Sequence, residues 1–378
     1  MNWPLSRHEL ASLAASARLR VVGVTTAEPF IELAGFLSDH IAAGHVAGMH
    51  WFTAQRAEES TNPAVLHPCP RSIVSVAVPF WSGPVSPPND GVLRGRIARY
   101  AWGRDYHLVL RERMRAFVSA LEAALGRSLI SRTLVDTARI VDRAAAARAG
   151  VGWYGKNSMI LVPNHGSWVM LGEVILDIDL PTDLPLVRDC GRCALCITHC
   201  PTGAIVEQYR IHAPACISYL TIEERGCIPR DLRSHMHDWV FGCDVCQDVC
   251  PYTNAAARVD DPDFAPRSVE NMFPALKSLV WMTDTQFQAL YGGTAVKRAK
   301  RVGLARNAVL ALGNSGDLRA QPILEQALRE HESPLVRGHA AWALHHLVGE
   351  DARKTLRDCY AREVDAFARA ELETALTA

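Results

Sequence analysis

The sequence predicts three consecutive domains: an α/β domain over residues 1–177, a cysteine-bound insert over 178–262 and an all-α domain over 263–378. Three observations predict this. Apolar β-branched runs alternate with stretches of helical periodicity before residue 177. Leaving Cys227 aside, eight of the 11 cysteines crowd between Cys190 and Cys250 in recognisable runs. Helix-length motifs recur in the last third of the chain at a spacing of roughly 31 residues. With 378 residues, 49% hydrophobic and 21% charged, the chain is long and apolar enough to bury several cores, which excludes intrinsic disorder and collagen-like repeats. No stretch of about 18 uninterrupted apolar residues occurs, and the first 24 residues lack the apolar block of a secretory leader. The expectation is a soluble cytoplasmic protein. Lys+Arg 40 equal Asp+Glu 40, so any attraction for nucleic acid must come from a local patch.

In the first domain, Leu19–Thr25 and Ser72–Phe80 read as strands, and Phe30–Ala43 as a helix. Asp105–Leu125 places Leu108, Leu110, Met114, Phe117, Val118 and Leu121 at helical spacing, and Gly126 is its stop signal. Leu129–Val135 reads as a buried strand and Val141–Ala149 as an Ala-rich helix. Ser158–Val162 and Ser167–Asp177 read as a hairpin around Pro163–Gly166. In the last domain, the motifs Leu304–Gly313 and Leu335–Leu344 alternate with second helices at Gln321–Arg329 and Ala352–Ala361. Helix pairs at that period predict a short HEAT-like solenoid. Ser333 is the predicted N-cap, with Pro334 at the first helical position.

The cysteine spacing is the most specific signal. Cys190-x2-Cys193-x2-Cys196-x3-Cys200-Pro201 is the run that wraps a cubane cluster in bacterial ferredoxins. Cys243-x2-Cys246-x3-Cys250-Pro251 is a second run lacking its first cysteine, and Cys216 upstream is the natural replacement. In such pairs the fourth cysteine of a run binds the other cluster. Cys190, Cys193, Cys196 and Cys250 then hold one 4Fe–4S cluster, and Cys200, Cys216, Cys243 and Cys246 the other. Zinc is the competing occupant of four thiolates, but the x2-x2-x3 run ending in proline is unusual for it. Cys69, Cys227 and Cys359 are left over and read as small buried apolar residues.

Paired cubanes pass single electrons, so a consumer must sit nearby. Gly150-Val-Gly-Trp-Tyr-Gly155 spells a dinucleotide fingerprint, but it follows a helix and precedes a strand, the reverse of the required context. Its glycines either let the backbone approach a flat ligand or form a plain turn. Asp136 ends an apolar strand, where burial would raise its pKa and suit it to proton donation; a turn or helix-cap role is the alternative. Lys297, Arg298, Lys300, Arg301 and Arg306 lie within ten residues, and no Asp or Glu occurs from Thr285 to Gly316. That run is either a phosphate-binding patch or a solvated helix face. Trp281 and Tyr291 are the nearby aromatics for base stacking, or else core residues.

These pieces, in their order, resemble the epoxyqueuosine reductase family. The resemblance runs essentially end to end. It is carried by Arg99-Tyr-Ala-Trp-Gly-Arg-Asp-Tyr-His107, Val135-Asp-Thr137, Arg143 to Ser158, both cysteine runs, Cys216-Ile-Ser-Tyr-Leu-Thr221, Arg306-Asn307 and Ala311-Leu-Gly-Asn314. It implies a nitroreductase-like α/β domain holding cobalamin with its dimethylbenzimidazole off the cobalt, a ferredoxin-like insert feeding it electrons, and a HEAT-like domain gripping a tRNA anticodon stem-loop. The implied reaction reduces epoxyqueuosine to queuosine at the tRNA wobble position, with a flavodoxin or ferredoxin as electron donor. Asp136 matches the family's proposed acid. The resemblance also implies that Arg56, Tyr100, His107, Asp136, Lys156, Asn157, Ser158, Ser218 and Thr221 line the cobalamin pocket, and that Lys297, Arg298, Lys300, Arg301 and Arg306 meet the tRNA. Arg139 departs from the proline that commonly follows the Asp-Thr-Ala motif. The rival readings are a cobalamin-dependent reductive dehalogenase and a non-enzymatic iron–sulfur nucleic-acid-binding protein.

Overall fold

The structure is a computed structural model that describes residues 4–377. The chain packs as two units, one formed by residues up to 83 with 104–214 and 245–265, the other by 84–103, 215–244 and 266 onward. This division differs from the expected three domains with boundaries at 177 and 262. The cysteine segment is divided between the units rather than standing as its own domain. Its helices are four to six residues long, such as Leu195–Thr198, Ile217–Ile222 and Val245–Asp248, too short to enclose a core of their own.

The first unit is built on a four-stranded sheet in the order Val21–Thr26, Ser72–Pro79, Val169–Leu176, Ser131–Leu134. Every pairing in it is antiparallel. The Ser72–Pro79 strand is buried along its whole length, which is why its sequence shows no polar alternation. Helix Tyr106–Leu125 covers one face and helix Asp142–Arg148 the other. Asp105 caps the long helix by accepting the His107 amide at 3.1 Å, and Gly126 ends it at φ 65°. Its buried stripe is Val109, Leu110, Met114, Phe117, Val118 and Leu121, while Leu108 faces solvent. Arg113 on the same helix is buried and binds Asp261 and Asp263 at 2.6–2.9 Å, anchoring the 245–265 segment.

The expected hairpin around 163–166 is only partly present. Val162 and Gly166 do close a tight turn at 2.8 Å. However, Ile160–Leu161 pairs with Trp153–Tyr154, and Val169–Leu176 enters the main sheet. The turn is local chemistry, whereas the strand's partners are chosen by burial, which the local pattern does not encode.

The second unit is helical. Among its helices, Lys300–Asn314, Gln321–Glu330, Pro334–Val348 and Arg353–Tyr360 stand at the positions the repeat predicts, and Ala366–Thr377 is a further helix that the repeat motifs did not mark. Pro334 occupies the first turn as expected, but the Ser333 side chain makes no capping bond. A short parallel pairing of Arg96–Ile97 with Trp239–Phe241 adds a small β element. No helix among the described residues is long and apolar enough to cross a membrane.

Candidate active site and iron–sulfur ligands

Asp136 follows the Ser131–Leu134 strand at φ 42°, a left-handed conformation an L-residue holds only when its surroundings impose it. Its side chain is 50% exposed, yet desolvation is the largest influence on its carboxyl; a residue reachable by solvent but walled by protein lies in a recess. Tyr106 donates its hydroxyl hydrogen bond to Asp136 Oδ2. His107 Nε2 stands 3.2 Å from the same oxygen, an ion-pair distance, though off the line of a good hydrogen bond. His107 Nδ1 bonds Oδ1 of the buried Asp105 at 2.8 Å. Consecutive residues of one helix start, 105 to 107, therefore converge on the acid at a strand end.

The electrostatics follow from this grouping. Burial opposes the His107 charge, but Asp105 and Asp136 outweigh it and lift its pKa to about 9. Burial pushes Asp136 up, while His107, Tyr106 and Arg143 pull it down further, leaving it below the ordinary carboxylate value. The resting pair is imidazolium and carboxylate. Around it, Arg56 Nη2 binds the Thr137 carbonyl at 2.9 Å and its guanidinium lies 4.9 Å from the Trp51 ring centre. Arg139 pairs with Glu59, so the residue standing in place of proline ties down the loop after the acid. Burial raises Asp142, and raises Glu173 well above the carboxylate range. Glu173 is fully buried in the Val169–Leu176 strand, receives a 3.3 Å bond from Ser75, and its Oε2 has no partner among the described residues.

Cys190, Cys193, Cys196 and Cys250 line one recess, with Gly155, Lys156, Asn157 and Tyr252 in its wall. Desolvation raises the thiols of Cys190 and Cys196, and charges on the neighbouring cysteines of the set add to it. Such mutual repulsion among thiolates is what bound iron relieves. Among the described residues no three His, Cys, Asp or Glu side chains gather as a single ion requires. Four cysteine thiols facing one recess, in the spacing of a ferredoxin run, are the donor set a cubane takes, so the residues fit the predicted cluster. Lys156 donates to the Gly191 carbonyl at 2.7 Å, and the buried Asn157 reaches the Cys246 carbonyl at 3.4 Å. Both side chains engage the cysteine segment rather than the Asp136 recess. Ser158, at φ 62°, has a buried Oγ with no partner among the described residues, and its carbonyl binds Arg143 at 2.9 Å.

In the second unit Tyr100 packs at 6.0 Å from Phe241, and Ser218 is half-buried. Two expected contacts are overturned there. Thr221 is 1% exposed, donating to the Ile217 carbonyl and accepting the Gly242 amide, so its hydroxyl is structural. Arg306 is wholly buried and binds the carbonyls of Glu224, Gly226 and Leu220 at 2.7–2.9 Å; it cannot meet tRNA at the surface. The basic run is also less bare than its sequence. Arg298 pairs with Glu223, and Arg301 with Asp284 and Glu332, acids lying outside the acid-free stretch. Lys297 and Lys300 are exposed. Tyr291 is core. Cys69 and Cys227 are exposed, contrary to the buried reading, whereas Cys359 is half-buried. At Gly150 and Gly152 the space a side chain would need is taken by the chain's own backbone. A Cβ at Gly150 would strike the Leu184 carbonyl at 2.4 Å, and one at Gly152 the Leu161 carbonyl at 2.6 Å.

Comparison with known proteins agrees with this arrangement. Residues 61–137 match the family described as epoxyqueuosine reductase QueG, DUF1730; residues 189–253 match the 4Fe-4S double cluster binding domain, and 296–377 the HEAT repeats. The chain is 33% identical to the epoxyqueuosine reductase of Bacillus cereus over 97% of its own length and 95% of the relative's. It is a member of the epoxyqueuosine reductase family. The Xanthomonas campestris epoxyqueuosine reductase is 35% identical over 89% of this chain and 93% of its own. A crystal structure of epoxyqueuosine reductase with an epoxyqueuosine-modified tRNA-Tyr stem loop superimposes with a TM-score of 0.91 at 33% identity, covering 98% of both chains. As an epoxyqueuosine reductase the chain is an oxidoreductase with an iron–sulfur domain and a HEAT-like region. Tyr106 is the site residue that motif reading passed over. Its only sequence signal was its place beside His107, since a tyrosine at a helix start is otherwise ordinary.

Proposed function

We propose that this enzyme reduces epoxyqueuosine to queuosine at the wobble position of tRNA. The observation that carries the reading is the Asp136 recess in a chain matching epoxyqueuosine reductases over nearly its whole length. Conversion of an epoxide to an alkene consumes two electrons and two protons and releases water. Two 4Fe–4S clusters, on Cys190, Cys193, Cys196 and Cys250 and on Cys200, Cys216, Cys243 and Cys246, relay the electrons from a flavodoxin- or ferredoxin-type carrier. Cobalamin, when bound in a nitroreductase-like pocket, supplies a strongly reducing nucleophilic metal centre. Support for a bulky polar ligand comes from the buried unpartnered Ser158 Oγ and the solvent-accessible yet desolvated Asp136. Arg56, Tyr100, His107, Lys156, Asn157, Ser158 and Ser218 remain the proposed pocket residues; Thr221 does not.

This chain's own part is to orient the epoxide, exclude water and place a proton on the oxygen that leaves carbon. Asp136 is the group at the oxygen. Lys297, Arg298, Lys300 and Arg301 are the proposed phosphate contacts of the anticodon stem-loop. The test is oxygen-free incubation of the reconstituted enzyme with epoxyqueuosine-modified tRNA and a one-electron donor, followed by nucleoside analysis. Queuosine should accumulate. Its absence, with iron and corrinoid both present, would refute the reading.

A further inference from the structure

The resting charges pose a difficulty for a lone acid. Asp136 is ionised at neutral pH, so it holds no proton to give. The proton sits one group away. His107 carries it, with Nε2 3.2 Å from Asp136 Oδ2. We propose that His107 is the proton store of this site, recharging Asp136 after each delivery, with Asp105 fixing the ring that does so.

One oxygen of Asp105 accepts both the His107 amide at 3.1 Å and Nδ1 at 2.8 Å, so capping the helix also sets the imidazole. Asp105 is 4% exposed, which holds Nδ1 protonated and leaves Nε2 for Asp136. The ring lies in the first helical turn, whose dipole disfavours a cation; two flanking carboxylates override that bias. Tyr106 donates to the same Asp136 oxygen, but losing its proton would leave a phenolate beside the carboxylates, whereas His107 becomes neutral, so the phenol serves to orient the carboxylate. The other charged groups acting on Asp136 and its surroundings are Arg143, Arg56, Asp142 and Glu173. Asp142, where ionised, favours a proton nearby, the two arginines oppose it, and Glu173, held protonated by burial, adds little charge.

The proton balance closes. The His107 Nε2–H bond breaks as an Asp136 O–H bond forms. That O–H bond breaks as the oxygen leaving carbon gains its proton. His107 is then reprotonated from water, and a second passage supplies the second proton released in the product water. The two electrons come from the one-electron carrier. His107 acts through Asp136 and is a positioning residue in this role, which rests on the proposed epoxide reduction.

The experiment has two readouts. Histidine side-chain NMR on the cofactor-free chain, assigned against His107→Gln, should give His107 a pKa of about 9 rather than 6.5. Asp105→Asn and Asp136→Asn should each lower it. On the reconstituted enzyme, His107→Gln should reduce single-turnover epoxide reduction by about tenfold or more at pH 8, change its pH profile, and leave the KM for tRNA unaltered. A His107 that titrates near 6.5 in the wild type overturns the proposal, as does a His107→Gln enzyme with the wild-type pH profile. The titration needs no substrate or cofactor, so its failure is separable from a failure of epoxide reduction.

Discussion

A half-exposed carboxylate on left-handed backbone is an expensive thing to keep at a strand end. Asp136 is kept there by Tyr106, His107 and the Arg56 bond to the next carbonyl. Asp136→Asn should therefore retain iron and fold while losing queuosine formation by at least about a hundredfold, checked by iron content and nucleoside analysis. The His107 pair also makes stability depend on pH. A folded pKa of about 9 against 6.5 means the contribution is complete below 6.5 and disappears as pH rises through 9. The stability difference between wild type and His107→Gln, from thermal melts, should shrink across pH 7 to 10. Arg306 belongs to the same scale. Arg306→Met would strand three backbone carbonyls in the core, and should cost about 3 kcal/mol or more by denaturant unfolding.

Among elements, helix length and helix face were legible. The Tyr106–Leu125 stripe and the repeat helices follow from apolar spacing, because a helix hides one face whatever its partner. Partner choice was not legible. Val169–Leu176 joins Ser72–Pro79 and Ser131–Leu134 rather than its sequence neighbour. Helix-to-helix distance was equally hidden. A Cβ on Gly313 would lie 2.8 Å from Ala343 Cα, so the Lys300–Asn314 and Pro334–Val348 helices meet there almost backbone to backbone. Gly313→Val should prise them apart and destabilise the second unit by about 1–3 kcal/mol, seen as a lowered melting temperature of the helical signal.

At the scale of the molecule, balanced charge leaves tRNA binding to a few side chains. In the basic run Arg298 and Arg301 are paired with acids and Arg306 with core carbonyls. Lys297 and Lys300 are the exposed ones. Changing both to glutamine should weaken stem-loop binding and flatten its logarithmic salt dependence by about two units, one per contact. An unaltered slope would move the tRNA surface elsewhere. The cysteine segment has little core, so stripping iron should raise hydrogen exchange over residues 189–214 and 245–257 while the main sheet stays protected.

Eight cysteines, their spacing and the proline after each run determined the cluster chemistry, because the consecutive thiolates within a run converge through local backbone; that Cys250 joins the first run is tertiary. The helices and the place of Asp136 at a strand end were equally legible, but its pKa was not: burial was expected to raise it, and His107, Tyr106 and Arg143 lower it instead. The three-dimensional packing decided the rest: that residues 105–107 meet Asp136, that Arg306 and Thr221 are interior, and that the acids opposing the basic run come from Glu223, Asp284 and Glu332. Charge pairing and burial act through space between residues far apart in the chain, and no local pattern records which of them meet.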